Sequence, residues 1–335
     1  MNNSSLPDTN IKVFETSPAA MPGLDAGISV VIPVYNSEKS LPLLVQRLQP
    51  VLQKLEARYE LILVNDGSRD DSWAVVRNLV KQYPWILGIN LMRNYGQHNA
   101  LLCGLRAAKF NLVVTMDDDL QHPPEQIPRL HEEIKRGGDV VYGKPQREQH
   151  GLWRNVASQA TKLAMQQMIG AETARDISSF RAFRTHLRNG FATFQGPFVS
   201  IDVLLTWSTT KFRTVEVQRE PRKVGKSNYN FFKLLVHTTN VIVSFSTLPL
   251  RLATWVGLFV ALCGLGILAY VVASYLLHGS VPGFTFLACI VSLFSGTQLF
   301  ALGIMGEYLG RVFQRSMERP AYTVKEASVM HHNNK

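Results

Sequence analysis

Three consecutive carboxylates, Asp117-Asp118-Asp119, end the apolar run Val113-Val114-Thr115-Met116. Leu120, Gln121 and His122 follow, and Pro123-Pro124 closes the stretch. Side chains two apart on a strand share a face, so Asp117 and Asp119 are expected to face one object while Asp118 points away. Anions held that close repel unless a cation sits between them. Carboxylates, with an amide oxygen such as that of Gln121 and with substrate phosphates, are the ligands that hard divalent ions of the Mg2+ or Mn2+ type take. The alternative is a solvated acidic turn before a helix, and the apolar run leading into the acids weighs against it.

The elements that must position these acids can be read from the same pattern. An unbroken β-branched run is the mark of a parallel strand buried on both faces. A strand over 28–36 ends in Pro33-Val34-Tyr35-Asn36, and a helix follows over about 38–57. A second strand over 60–68 ends in Asn65-Asp66-Gly67-Ser68 before a helix over about 70–82. A third over 86–91 leads through Arg93-Asn94-Tyr95-Gly96-Gln97-His98 into a helix reaching about 108. The acidic strand is the fourth, and 139–143 is a fifth. Strands alternating with helices predict βαβ units and a mainly parallel α/β sheet. The polar loops after strands one, two and four then gather on one edge, where open sheets of this kind bind ligands. There Asp66 could accept from a nucleobase or a ribose hydroxyl, and Tyr35 could lie against a base. No Gly-x-Gly-x-x-Gly follows the first strand, which disfavours a nicotinamide dinucleotide. Gly225-Lys226-Ser227 lacks the first glycine and the strand-loop-helix setting of a phosphate loop. A nucleoside diphosphate held through a metal ion remains.

Composition narrows the partners. The 335 residues leave room for more than one domain, and the formal net charge of +10 calls for an anionic partner: nucleic acid, a phosphate-bearing substrate or a membrane surface. Cys103, Cys263 and Cys289 lack the paired spacing of a zinc site or a disulfide framework. Residues 1–27 are polar, rich in Pro, Ser and Asn, without the apolar centre of a signal peptide, and are expected to form a flexible tail.

The last third is different in kind. Residues 252–277 form a run of 26 without a charged side chain, and 279–306 a second run of 28. Each exceeds the roughly 20 apolar residues that cross a bilayer. With the short break around Pro282, they predict a transmembrane hairpin of spans at about 252–277 and 281–306. Lys223, Lys226, Lys233 and Arg251 precede the pair and Arg311, Arg315 and Arg319 follow it, while the connecting loop carries no cation. The positive-inside rule then places both ends and the N-terminal domain in the cytoplasm.

Cations and hydroxyls cluster before the spans. Lys144, Arg147 and Arg154 follow the fifth strand, with an amphipathic helix expected over 152–168. Arg222, Lys226, Ser227 and Tyr229 stand close to the membrane segment. Guanidinium forks, hydroxyls and close amides are what phosphate oxygens require; attraction to anionic lipid head groups is the rival explanation. Residues 229–250 are expected to lie along the interface as an amphipathic helix.

Taken in order, Pro33-Val34-Tyr35-Asn36, Val64-Asn65-Asp66-Gly67-Ser68, Arg93-Asn94-Tyr95-Gly96-Gln97-His98 and Asp117 to Pro124 resemble the family 2 glycosyltransferases of the dolichol-phosphate mannose synthase type. The likeness is closer to bacterial polyprenyl-phosphate members, the undecaprenyl-phosphate glucosyltransferases and the 4-deoxy-4-formamido-L-arabinose transferases, and spans about 28–320. It implies a GT-A (Rossmann-like) domain over 28–228, the interface helix over 229–250, the hairpin within 251–306, and a cytoplasmic juxtamembrane helix and tail over 307–335. It implies inverting sugar transfer from a nucleotide-sugar donor to polyprenyl (undecaprenyl) phosphate with Mg2+ or Mn2+, in the cytoplasmic membrane and without a nucleic-acid partner. UDP-glucose is the first expectation for the donor and GDP-mannose the alternative.

By the same resemblance, Pro33, Tyr35, Asn36, Glu38, Asp66, Asp118 and Gln121 would bind the donor. Asp117, Asp119 and Gln121 would hold the metal. Arg147, Arg154, Arg222, Lys226, Ser227 and Tyr229 would bind lipid phosphate and diphosphate. The chemistry would fall to Asp117, Asp119, Arg147 and Asp176, with Asp176 positioning acceptor or sugar or else acting as a structural cap. Relatives suggest a homo-oligomer, a tetramer. Relatives also commonly read Pro-x-Tyr-Asn-Glu, whereas here Ser37 intervenes and the acid is Glu38. A processive polysaccharide synthase would carry a Gln-x-x-Arg-Trp motif, which is absent, and a non-catalytic membrane scaffold would have no use for aligned acids.

Overall fold

Four apolar runs in the first half of the chain become the centre of the sheet. The computed structural model describes residues 25–56, 58–145, 177–196, 199–220, 248–278 and 283–328. In it the runs are strands β1 (Asp25–Val34), β2 (Tyr59–Asn65), β3 (Ile86–Leu91) and β4 (Phe110–Thr115). They pair in the order β4-β1-β2-β3, all parallel. Every residue of β1 from Ile28 to Val34 is buried, which is why that strand carries no polar alternation. Its one buried polar side chain, Ser29, donates to the Glu60 carboxylate at 2.7 Å, and Glu60 also accepts the Lys109 amide at 2.7 Å. Buried polar groups are thus paired rather than stranded.

Helices α1 (Leu41–Leu55), α2 (Ser72–Gln82), α3 (Gln97–Ala107) and α4 (Ile127–Lys135) cover the sheet. On α1 the buried positions are Leu41, Leu44, Val45, Leu48 and Leu52, the three-and-four spacing of one helical face. On α3, Gly104 lets the helix lie directly on β1 and β2: a Cβ there would stand 2.4 Å from Val31 Cγ1 and 3.1 Å from Val64 Cγ2.

Strands β5 (Val140–Pro145), β6 (Arg181–Arg184) and β7 (Phe212–Val217), helix α5 (Ile201–Thr206) and strand β8 (Val324–Ser328) complete this unit. The full order is β7-β5-β6-β4-β1-β2-β3-β8. Strand β6 runs antiparallel to both β4 and β5, β7 is parallel to β5, and β8 is antiparallel to β3. The mainly parallel α/β sheet is therefore present, with three strands the sequence pattern did not announce. Behind β4, the buried Arg181 guanidinium pairs with Asp202 of α5 and donates from Nε to Thr115 Oγ1 at 3.1 Å, while Tyr142 donates to the same Asp202 at 3.0 Å.

The chain divides into two compact units, Met1–Ser227 with Pro320–Lys335, and Asn228–Arg319. The second contains α6 (Leu248–His278) and α7 (Phe284–Ser316), which pack on each other. Within α6, Leu250–Leu277 is long and apolar enough to cross a membrane, and none of its most apolar stretch is buried. The region read as juxtamembrane helix and tail, 307–335, divides differently: α7 runs on to Ser316, and the chain then returns to the sheet of the first unit as β8.

Candidate active site

Because β1 to β4 are parallel, their carboxyl ends open on one edge, and four loops meet there. The turn after β1 carries Tyr35, Asn36 and Ser37; Asn36 adopts a left-handed backbone (φ 55°), which asparagine tolerates better than most residues. Pro33, by contrast, is buried within the strand, opposite Val64 of β2. After β2, Gly67 turns with φ 64° and packs so closely on the loop after β3 that a Cβ would stand 2.5 Å from the Asn94 amide nitrogen. Asp66 is only 2% exposed, and its two oxygens accept the Tyr95 and Gly96 amides at 2.7 and 2.8 Å. Burial pushes its carboxyl above the usual range, and the two amides pull it back. Asp66 is thus tied to the 93–96 loop and braces that part of the sheet edge.

Strand β4 ends at Thr115, so the three acids lie in the turn beyond it, and strand alternation does not orient them. Their hydrogen bonds do. Asp117 accepts Gln97 Nε2 of α3 at 2.6 Å and Ser179 Oγ at 2.6 Å. Asp118 accepts the Tyr35 amide at 3.2 Å and the Ser37 hydroxyl, joining the acid turn to the turn after β1. Asp119 accepts the Gln121 amide at 3.0 Å. Between Asp119 and Gln121 the buried Leu120 has φ 61°, a conformation most side chains avoid, and its side chain is fixed in the core.

Two of these acids, Asp117 and Asp118, are costly to keep ionised. Burial pushes the Asp117 carboxyl up and Asp119 pushes it further, against Ser179, Arg181 and Gln97, which pull it down. Asp118 is raised to about 6, first by burial and then by its two acidic neighbours. Removing water from carboxylates grouped in this way favours their neutral form unless positive charge arrives. Among the described residues, no group of three or more His, Cys, Asp or Glu is arranged to hold a metal ion. Two carboxylates with substrate phosphates are nonetheless the usual protein share of a magnesium site. Asp117 and Asp119 fit that share. Gln121 is less available, since its side-chain oxygen accepts from the Arg219 guanidinium.

Arg219 is held there by a latch. The Glu220 amide donates to the Gln121 carbonyl at 2.9 Å, and Arg47 of α1 binds both Glu220 (3.0 Å) and Glu125 (2.8 Å). The segment after β7 is thereby laid along the acid turn. Glu38, in contrast, points to α2: it accepts the Asp71 amide at 3.2 Å, and its own amide donates to Asp70. Tyr35 is 37% exposed, an aromatic ring open at the edge.

The structure brings together Tyr35, Asn36, Asp117, Asp118, Asp119 and Gln121. Arg147, Arg154, Asp176, Arg222, Lys226, Ser227 and Tyr229 lie outside the described residues, as do the helices expected over 152–168 and most of 229–250. Sequence reasoning gave no site role to Ser37, Gln97, Ser179 or Arg219. Gln97 sits inside the Arg93–His98 stretch noted above, but only the fold places it and Ser179 against Asp117.

Comparison with known proteins gives three findings. Residues 29–191 match the model of the family described as Glycosyl transferase family 2. The chain is 34% identical over 307 residues to the undecaprenyl-phosphate 4-deoxy-4-formamido-L-arabinose transferases of Photorhabdus laumondii and Proteus mirabilis, covering 89% of this chain and 93% of each relative. Among solved structures it is similar to Mycobacterium tuberculosis glucosyl-3-phosphoglycerate synthase in complex with Mn2+, UDP-glucose and phosphoglyceric acid. There the identity is 19% and the TM-score 0.48, over 65% of this chain and 78% of that one.

Proposed function

The chain belongs to glycosyl transferase family 2, in its polyprenyl-phosphate branch, and from that premise we propose that it transfers a sugar from a nucleoside-diphosphate donor to polyprenyl phosphate, inverting the anomeric centre. The observation that carries this reading is the acid turn itself. Three carboxylates stand at the carboxyl edge of a parallel sheet, bound to the turn after β1 on one side and to α3 on the other.

Each group of residues has a task. Tyr35 and Asn36 receive the nucleoside, with Pro33 fixing where the turn begins and Asp66 and Glu38 bracing the loops around it. Asp118 holds that turn to the acids, so that nucleoside and diphosphate are gripped by one continuous wall. Asp117 and Asp119 would hold Mg2+ or Mn2+. When bound, the ion would supply positive charge to the departing diphosphate. Arg219 stands beside Gln121, where a guanidinium can bind the same phosphates. Arg147, Arg154, Arg222, Lys226, Ser227 and Tyr229 take the lipid phosphate and the diphosphate, and Asp176 positions acceptor or sugar.

The reaction is a direct displacement. A phosphate oxygen of the lipid attacks C1 of the sugar, and the bond from C1 to the diphosphate breaks on the opposite face. A phosphomonoester has a second pKa of about 6, so the acceptor is largely dianionic at neutral pH and no dedicated base is needed. The two apolar helices anchor the chain in the membrane that holds the acceptor's isoprenoid tail, with both spans crossing and both termini in the cytoplasm.

Membranes containing the protein, incubated separately with labelled UDP-glucose, UDP-4-deoxy-4-formamido-L-arabinose and GDP-mannose and then extracted with organic solvent, test the proposal. Label from one donor is expected in the lipid phase. An insoluble labelled polymer would instead identify a processive synthase, and no incorporation from any donor would point to a scaffold; either contradicts the reading.

A further inference from the structure

A line of hydrogen bonds runs from the C-terminal strand to the turn after β1. Asn90 of β3 and Glu326 of β8 are directly opposed across the antiparallel ladder. Asn90 Nδ2 donates to Glu326 Oε1 at 3.1 Å, and Asn90 Oδ1 accepts Asn65 Nδ2 at 2.8 Å. Asn65 Oδ1 accepts the Ser68 hydroxyl at 2.5 Å, and Ser68 Oγ accepts the Asn36 amide at 3.0 Å.

The direction of this line is forced by chemistry. A carboxylate only accepts, so the amide nitrogen of Asn90 must face Glu326 and its oxygen must face Asn65. Asn65 must then offer nitrogen to Asn90 and oxygen to Ser68. Were Asn90 reversed, two acceptors would meet at β8 and two donors at β2. Asn65 and Asn90 are buried, where an unmade hydrogen bond is expensive. Glu326 is exposed and carries no packing role of its own. At the far end, Asn36 holds its left-handed backbone with Ser68 on its amide and the Arg69 amide on its side-chain oxygen at 2.8 Å.

We propose that Glu326 is a positioning residue for nucleotide binding: it sets the orientation of the Asn90 and Asn65 amides and so fixes the backbone of the Tyr35-Asn36 turn. The inference rests on the reading of that turn as the nucleoside side of the donor site. It gives β8 a function beyond closing the sheet edge, since the strand that follows the last apolar helix in the chain then governs how tightly the donor is held.

The test uses the full chain in detergent and whichever of UDP and GDP binds the wild-type protein, with affinity and turnover at saturating donor measured together. Glu326→Ala is expected to weaken nucleotide binding about three- to tenfold, the effect of one hydrogen bond, and to leave kcat unchanged. Glu326→Gln, whose side-chain oxygen accepts the same bond, should restore most of the affinity. Asn36→Ala should weaken binding at least as much as Glu326→Ala. If Glu326→Ala binds within twofold of wild type while Asn36→Ala is weakened, or if the alanine and glutamine variants fall together, the relay is overturned and the donor site stands. If Asn36→Ala keeps wild-type affinity, or neither nucleotide binds, the donor reading of the turn is overturned and the relay with it.

Discussion

Asp117 pairs with two neutral donors, and that choice of partners matters for what the site can bind. Gln97 and Ser179 satisfy its oxygens without cancelling its charge, so the carboxylate is oriented but still able to meet a cation. Losing either donor should leave the fold intact and misplace the acid. Gln97→Ala and Ser179→Ala are each expected to reduce turnover about tenfold or more, the cost of one hydrogen bond to a charged group, with little change in melting temperature; a steady-state transfer assay checks this. Cys103 makes the opposite case. Burial raises its thiol to about 12, above its ordinary value, so the thiolate is nearly absent at neutral pH. Maleimide at pH 7.5 should leave Cys103 unmodified in the folded chain and label it after denaturation, and protection should fail only as the pH nears that value or the fold opens. At this scale the sequence showed which acids gather, because three neighbouring carboxylates after an apolar run are conspicuous. It did not show who holds them, because Ser37, Gln97 and Ser179 lie 81, 20 and 62 residues from their partners.

Elements were legible in proportion to their burial. Strands β1 to β4 are covered on both faces and read as unbroken apolar runs, so their positions follow from the sequence. Strand β6, Arg181-Ala182-Phe183-Arg184, is four residues long with a cation at each end. Strand β8, Val324-Lys325-Glu326-Ala327-Ser328, is mostly exposed at a sheet edge and has no apolar face to announce it. Both are placed by pairing with strands already formed, a tertiary effect that local pattern cannot show. The close contact between α3 and the sheet was likewise invisible, although one residue permits it. Gly104→Ala should force α3 away from Val31 and Val64 and destabilise the first unit by about 1–3 kcal/mol, as over-packing of a tight core does. Thermal unfolding followed by circular dichroism should show a melting temperature several degrees lower, whereas an unchanged melt would mean that the helix can shift freely.

For the whole molecule, the decisive contrast among the described residues is between the apolar strands of the sheet, which are buried, and helix α6, whose large apolar side chains are mostly exposed. Helix α6 exposes Trp255, Phe259, Leu262, Leu265 and Leu268 along its length, a surface that water does not tolerate but lipid does. Washing membranes at alkaline pH should therefore leave the protein in the pellet, with release only by detergent; release by the wash alone would place it at the surface. The net charge of +10 fits the same setting, where anionic phosphates are both substrate and surroundings. The claim on which the account rests is that Asp117 and Asp119 manage the donor's diphosphate during transfer to a lipid phosphate. Its most direct test is the initial rate of sugar transfer to undecaprenyl phosphate by the purified chain and its Asp119→Asn variant across a titration of Mg2+ and of Mn2+. A loss of about a hundredfold or more that added metal does not restore is expected, equivalent to roughly 3 kcal/mol of transition-state stabilisation. A variant that turns over like wild type with the same metal requirement would contradict it.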